Sequence, residues 1–424
     1  MTAKRLFLIG TLLILSSALC FAGGGAEEEA AGGEITVWDW FKGSSGSQGV
    51  LAEALGLAFE EAFPDITLNH ESVPHPPYEV YQAAIAAGNG ADAILVHANG
   101  QNFQDLGEAF VVLDDHIQDI WGQFPEATLA DTAPERDIDQ GVRGLPVTVQ
   151  GWVWYYNKSL FEAAGLDPED PPTTWDGLIA AAEALEEAGI TPIGFGQGIH
   201  AEMMIAGTLD QVLSESQKRD LLAGDMTFEA PIILETFERF QDLYQAGYID
   251  PEGMTVPLLR DKGEEFMAGE SAIFRGFVSD IFNWYEFGEA LGAENLGVIP
   301  NFYFEGSAHE GVVGAAGGVA YAVPTYSDNQ AAAIEWVKFA AGVEGANILL
   351  ANGGAVPANT QADQSLVANE VGVEVMDLVA SNLVSPTKAF TPTPLWNVIR
   401  SHGPLLLSGE ITPAEYGATI EQAR

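Results

Sequence analysis

The chain has 424 residues, 47% of them hydrophobic, with one cysteine and a net charge of −45 from 61 acidic and 16 basic residues. That length supports two domains with substantial cores, and a single cysteine excludes an internal disulfide framework. The charge opposes binding to nucleic acid or an anionic membrane, whose partners carry basic patches; the acids are scattered, so they read as a solvated surface and name no substrate.

At the N-terminus, Lys4 and Arg5 precede the apolar run LFLIGTLLILSSALCFA, followed by GGGAEEEAAGG. A basic start, an apolar stretch too short for a comfortable bilayer span and small residues at its end describe an export signal over 1–22. The Gly/Glu segment 23–33 reads as a flexible tether. Two processing routes stay open: cleavage after Ala22, or lipid attachment at Cys20, because SSALC resembles a loose bacterial lipoprotein signal. Either places the protein outside the cytoplasmic membrane, periplasmic or lipid-anchored.

ITVWDW (35–40), ITLNHES (66–72) and ADAILV (91–96) have strand chemistry. Between the first two, Leu51, Leu55, Phe59 and Phe63 recur every four residues before Pro64, which predicts an amphipathic helix with a proline stop. YEVYQAAIAAG supplies a second helix. The β-α-β-α-β order predicts a parallel sheet with right-handed crossovers. QGWVWYYNK (150–158) reads as an aromatic strand whose alternation puts Trp152, Trp154 and Tyr156 on one face and Val153 and Tyr155 on the other. TTWDGLIAAAEALEEAG predicts a helix with a threonine cap and a glycine stop, followed by the strand TPIGF (191–195). SAIF, NLGVI and GVAYAV are further strands, and SDNQAAAIEWVKFAAG a further helix. No repeat of solenoid length occurs. The pattern is an α/β protein with two sheets.

No serine-hydrolase elbow, zinc-protease helix or phosphate-binding P-loop is present, and GFGQG (194–198) lacks dinucleotide spacing. His70, Glu71 and His75 offer metal-ligand chemistry without a third fixed ligand, so they read as polar surface, and no metal or cofactor is expected. A carboxylate pair for glycoside hydrolysis stays open, because so many acids offer many pairs. The balance points to binding rather than to chemistry.

GLPVTVQGWVWYYNKSLFEAAGL, followed by PPTTWDGLIAAAEAL, resembles the extracellular solute-binding proteins of bacterial ABC sugar importers, the maltose-binding-protein-like group. The resemblance rests on Pro146 before the strand, on Tyr156-Asn157-Lys158 and on Ala164-Gly165-Leu166. It extends to FEEAFPDITLNHESVP, to AIFRG and to LWNVIRSHGPLLLSGEITPAEYGATIEQA, covering 34–424. It implies a two-lobed periplasmic-binding-protein-like α/β fold, with three hinge crossings and a ligand cleft between lobes. The first lobe is expected over 34–146 and 312–356, the second over 147–300 and 357–424, with 301–311 a hinge crossing. It also implies a monomer without enzymatic activity that delivers a sugar or oligosaccharide to ABC permease subunits. A secreted carbohydrate-active hydrolase and a receptor for another polar solute, such as a polyol or glycerol phosphate, are the competing readings.

The resemblance, with the rule that open α/β sheets bind ligands at strand carboxyl ends, marks Asp39, Trp40, Asn99, Gln150, Trp152, Gln197, His200, Arg275 and Trp396. Aromatic platforms suit the C–H faces of a pyranose, and amide, acid, imidazole and guanidinium groups suit its rim. Competing readings are a core position for Trp40, turn shaping for Asn99, loop shaping for Gln197 and His200, and an ion pair for Arg275. Trp154 is expected in the core. Gly276-Phe277-Val278 departs from the Gly-x-Trp of many relatives, so the sugar preference of maltose binders does not carry over.

Overall fold

A computed structural model describes residues 32–44, 46–98, 101–196, 198–254, 259–279, 282–352, 354–367, 369–384, 386 and 393–424. The expected export signal with Cys20, and the expected ligand residues Asn99 and Gln197, lie outside these. Eleven strands are described: β1 (Gly33–Asp39), β2 (Ile66–Ser72), β3 (Ala93–His97), β4 (Leu145–Pro146), β5 (Val149–Asn157), β6 (Thr191–Gly194), β7 (Ser271–Phe277), β8 (Leu296–Ile299), β9 (Val313–Gly317), β10 (Val319–Ala322) and β11 (Leu383–Val384).

The first sheet has the order β2-β1-β3-β10-β4. β1 runs parallel to β2, with Ile35 opposite Leu68, and parallel to β3. Helix Ser47–Ala62 makes the first crossover and buries Leu51, Leu55 and Phe59. Helix Tyr78–Ala87 makes the second and stops on Gly88, whose φ of 67° suits glycine. The sheet is mixed rather than wholly parallel, because β10 enters antiparallel to both β3 and β4. β10 is reached late, directly from the other sheet, so no crossover helix dictates its direction.

The second sheet has the order β11-β9-β5-β7-β6, with β8 also paired to β5. β5 is antiparallel to β7, β8 and β9. Its alternation divides two cores. Val153 and Tyr155 join Phe274, Phe277 and Phe287 in a buried cluster continuous with the first sheet's core. Trp154 and Tyr156 face the opposite way, into a cluster with Trp175, Phe237, Phe240 and Phe302. Asn157 ends the strand and caps helix Lys158–Ala163, its Oδ1 accepting from the Leu160 N–H at 3.3 Å. Gly165, at φ 77°, turns the chain out of that helix. The Thr174 hydroxyl caps helix Trp175–Glu187 by accepting from Gly177 N–H at 3.1 Å.

The chain passes between the sheets three times. β4 leads into β5 across Val147 and Thr148, and β9 leads into β10 across Gly318. At the third passage, Val149 N–H donates to Val356 O at 2.8 Å and Ala358 N–H to Val147 O at 3.0 Å. β9 lies within the 312–356 segment expected in the first lobe, yet it pairs with β5; that passage between sheets falls after Gly317. Helices Thr393–Ser408 and Pro413–Gln422 close the chain over helix Pro231–Gln245, where Tyr416 meets Phe237 at 4.9 Å. No helix among the described residues is long and apolar enough to cross a membrane.

Candidate functional site

The described members of the expected set fall in separate places: Asp39 and Trp40 at and after the end of β1, Gln150 and Trp152 in β5, and His200, Arg275 and Trp396 on helix Ile199–Val212, on β7 and on helix Thr393–Ser408. At the first, β1 runs into Asp39, which has no solvent exposure. Its Oδ1 accepts from Phe41 N–H at 2.6 Å; its Oδ2 accepts from the Tyr321 hydroxyl at 2.6 Å and meets His70 Nε2 at 3.0 Å. A desolvated carboxylate needs such partners. Burial, with Asp39 beside it, pushes the Tyr321 phenol well above its ordinary range, so it stays a donor. Asp39 therefore shapes the turn after β1 and presents no free oxygen outward.

Trp40 follows and is only 6% exposed. Its ring lies 4.8 Å from that of His97, at the end of β3, and 5.4 Å from that of His75, in the segment after β2. The two histidines meet Nε2 to Nε2 at 3.2 Å. Burial pulls the His97 ring down to about 4, with His75 adding to the effect, and burial also lowers His75. Both rings are neutral at neutral pH. Of the three residues read as polar surface, His70 instead turns inward to Asp39, while Glu71 accepts from the Trp38 indole N–H at 2.9 Å.

At the passage, Gln150 lies opposite Ala316 of β9 and is partly exposed. Trp152 is also partly exposed and packs against both cores. Its Nε1 is buried and has no hydrogen-bond partner among the described residues. Gly207, on helix Ile199–Val212, leaves room for this ring and for the Arg275 guanidinium, because a Cβ there would press on both.

In the third group, His200 is wholly buried: its Nδ1 accepts from Gly196 N–H at 2.8 Å, and its Nε2 lies 3.2 Å from Arg275 O. It ties the loop after β6 to β7. Arg275, 1% exposed, donates from Nη1 to Asn301 Oδ1 at 2.5 Å and lies 4.9 Å from the Trp154 ring centroid. Burial pulls its guanidinium down to about 9, and Asp210 opposes that shift. Burial has thus led Arg275 to internal partners rather than to an open surface.

Trp396 differs. It is partly exposed on helix Thr393–Ser408, with the Arg400 guanidinium 3.5 Å from its ring centroid. Arg400 Nε donates to Glu202 Oε2 at 2.7 Å, and the Trp396 indole N–H also bonds the Glu202 side chain. Burial raises the Glu202 carboxyl, and Arg400 pulls the other way. One ring face is thus covered and the indole fixed, leaving its exposed remainder as a preorganised apolar surface.

His75, His97, Glu202 and Arg400 were not among the expected site residues. For Arg400 a signal existed, since it stands four residues after Trp396 on one helix face. Two surface depressions, one lined by Glu370, Glu374 and Asp377 and one beside Arg239 and Tyr303, contain none of these residues.

Residues 42–347 match the family model of the bacterial extracellular solute-binding proteins. The chain is 30% identical over 232 residues to a binding protein of Brucella abortus (strain 2308), an alignment covering 53% of this chain and 54% of that one. It is 25% identical over 244 residues to the sn-glycerol-3-phosphate-binding periplasmic protein of Yersinia pseudotuberculosis serotype I (strain IP32953), covering 50% of each. The chain thus spans about half the length of the curated relatives it matches. Among solved structures, a chitin oligosaccharide binding protein superposes with a TM-score of 0.76 at 21% identity, covering 92% of this chain and 98% of that one. A maltose-bound protein of T. maritima gives 0.74 at 20% identity, with coverage of 92% and 98%. Those identities speak to the fold, which is that of two-lobed solute-binding proteins. With the family model spanning most of its length, the chain belongs to the bacterial extracellular solute-binding protein family.

Proposed function

We propose that this protein captures a neutral sugar or oligosaccharide outside the cytoplasmic membrane, where it is periplasmic or lipid-anchored, and delivers it as a monomer to the permease subunits of an ABC importer. The carrying observation is the preorganised Trp396 indole, partly exposed and held by Arg400 on its own helix and by Glu202 on helix Ile199–Val212. Trp152, Gln150 and Trp40 complete a set in which aromatic faces alternate with polar groups, the composition a pyranose demands. The two lobes are assigned to the two sheets, with hinges at the three passages, so that closure brings the lobes together on the solute and excludes water.

A neutral solute is favoured over a phosphorylated one because Arg400 is paired with Glu202 and Arg275 is only 1% exposed, so neither presents an open cation to solvent. No bond is broken in this function. Purified protein screened against a carbohydrate panel should show a raised melting temperature with one class of sugar, about 2.7 kcal/mol of stabilisation at a hundredfold excess over Kd. The sugar should be returned unchanged. Product formation abolished by a single Asp or Glu substitution would transfer the protein to the hydrolases.

With a ligand from that panel, Trp396→Ala is expected to weaken binding by about 1–3 kcal/mol, the scale of ring stacking on an aromatic side chain. The neighbouring Leu395 and Ile399 keep the helix packed, so melting without ligand should change little. Wild-type affinity in this variant, measured by calorimetry, would remove Trp396 from the site.

A further inference from the structure

We propose that His75 and His97 form a two-histidine site for a divalent transition-metal ion at the carboxyl edge of the first sheet. The site adjoins the proposed solute contacts through Trp40, which packs on both rings, but its argument needs no solute. The Nε2 atoms lie 3.2 Å apart. Two nitrogens at roughly 2.0–2.1 Å from a common ion subtend, at that separation, an angle of roughly 100–105°, between the tetrahedral and the octahedral-cis values. The rings are nearly perpendicular, at 80°, so each lone pair can approach a shared point without the rings clashing.

The two ligands are held before any ion arrives. His97 ends β3, where it lies opposite Val319 of β10. His75 sits between Pro74 and the pair Pro76-Pro77, which restrict its backbone and lower the entropy cost of fixing its ring. Trp40 packs on both imidazoles from one side. The Nε2 atoms face each other at 3.2 Å; with each ring protonated on Nδ1, both Nε2 lone pairs would be available to one ion. Imidazole nitrogen selects Zn2+, Cu2+ or Ni2+ over Ca2+ and Mg2+, which take oxygen. No group of three or more potential ligands converges among the described residues, so water fills the remaining positions.

An N–H···N hydrogen bond between the rings would produce the same separation, and a titration separates the two. Full-length protein, without sugar and with excess Ca2+ and Mg2+ to occupy the many carboxylates, is titrated with Zn2+ by calorimetry and with Cu2+ by electron paramagnetic resonance. The expected result is one ion per chain, a Cu2+ spectrum split by two nitrogens, and at least tenfold weaker binding in His75→Gln and in His97→Gln. His116→Gln, on an exposed turn elsewhere, should bind as the wild type does. Absence of saturable binding, or equal affinity in all four proteins, overturns the site and leaves the pair a hydrogen bond. If His97→Gln folds poorly, His75→Gln in its exposed segment decides alone. A failed sugar screen leaves this result untouched, and the reverse also holds.

Discussion

Trp154→Ala is expected to lower the free energy of unfolding by about 3–5 kcal/mol, the range for deleting a fully buried large aromatic. Trp154 has no solvent exposure, meets Phe302 at 5.4 Å and carries the Arg275 guanidinium at 4.9 Å. Truncation opens a cavity between β5 and its helices and also strips Arg275 of an aromatic face. That exposes a second cost, because Arg275 Nε and Nη2 are buried and have no hydrogen-bond partner among the described residues. A buried cation that loses its surroundings is expensive. Denaturant titration of wild type and variant is the measurement; an unchanged slope with a shifted midpoint would show that the loss is stability alone. A loss below about 1 kcal/mol would place Trp154 outside the core. Ligand affinity of the surviving folded fraction should be nearly normal, the opposite of the pattern expected for Trp396→Ala.

The contrast between these two tryptophans shows which parts of the molecule were legible in sequence. Strand 66–72 and the faces of β5 follow from alternation, and the Ser47–Ala62 helix from apolar residues four apart before Pro64. These are local signals. The direction of β10 was not legible, because it depends on a passage between sheets rather than on its own residues. Residue types at the candidate site were also legible, but partners were not. Asp39 has the chemistry of a sugar contact, yet Tyr321, 282 positions away, takes up one of its oxygens. Arg275 was expected to need a cleft if it lacked a partner; Asn301 and the face of Trp154 meet part of that need internally, while its Nε and Nη2 have no hydrogen-bond partner among the described residues. The His75–His97 pair and the Glu202–Arg400 pair each join distant segments that no spacing rule connects.

Acidification should expose the other buried site residue. Burial above all pulls the His200 ring down to about 3; the Arg275 charge adds to this, while the hydrogen bond to Arg275 O works against it. In the unfolded chain the same imidazole titrates near 6.5. Between these values the unfolded state holds a proton that the folded state refuses, so stability falls as pH drops through the window from about 6.5 to 3. Full burial leaves no solvent to screen the effect, and the loss from this one group reaches about 3 kcal/mol by pH 4. His97, pulled down to about 4, acts in the same direction over an overlapping window, reduced by its partial exposure. Glu202, whose carboxyl burial raises, acts with the opposite sign and gains stability as pH falls, so a single curve would not isolate the histidine. The informative quantity is the difference between wild type and His200→Gln. The variant should be less stable at pH 7, because the bond to Gly196 N–H is disturbed, but its stability should fall less steeply between pH 6.5 and 4, and the two curves should converge. Parallel curves over that interval would mean that His200 accepts its proton in the folded state as readily as in the unfolded one, and the buried tie between the β6 loop and β7 would have to be abandoned.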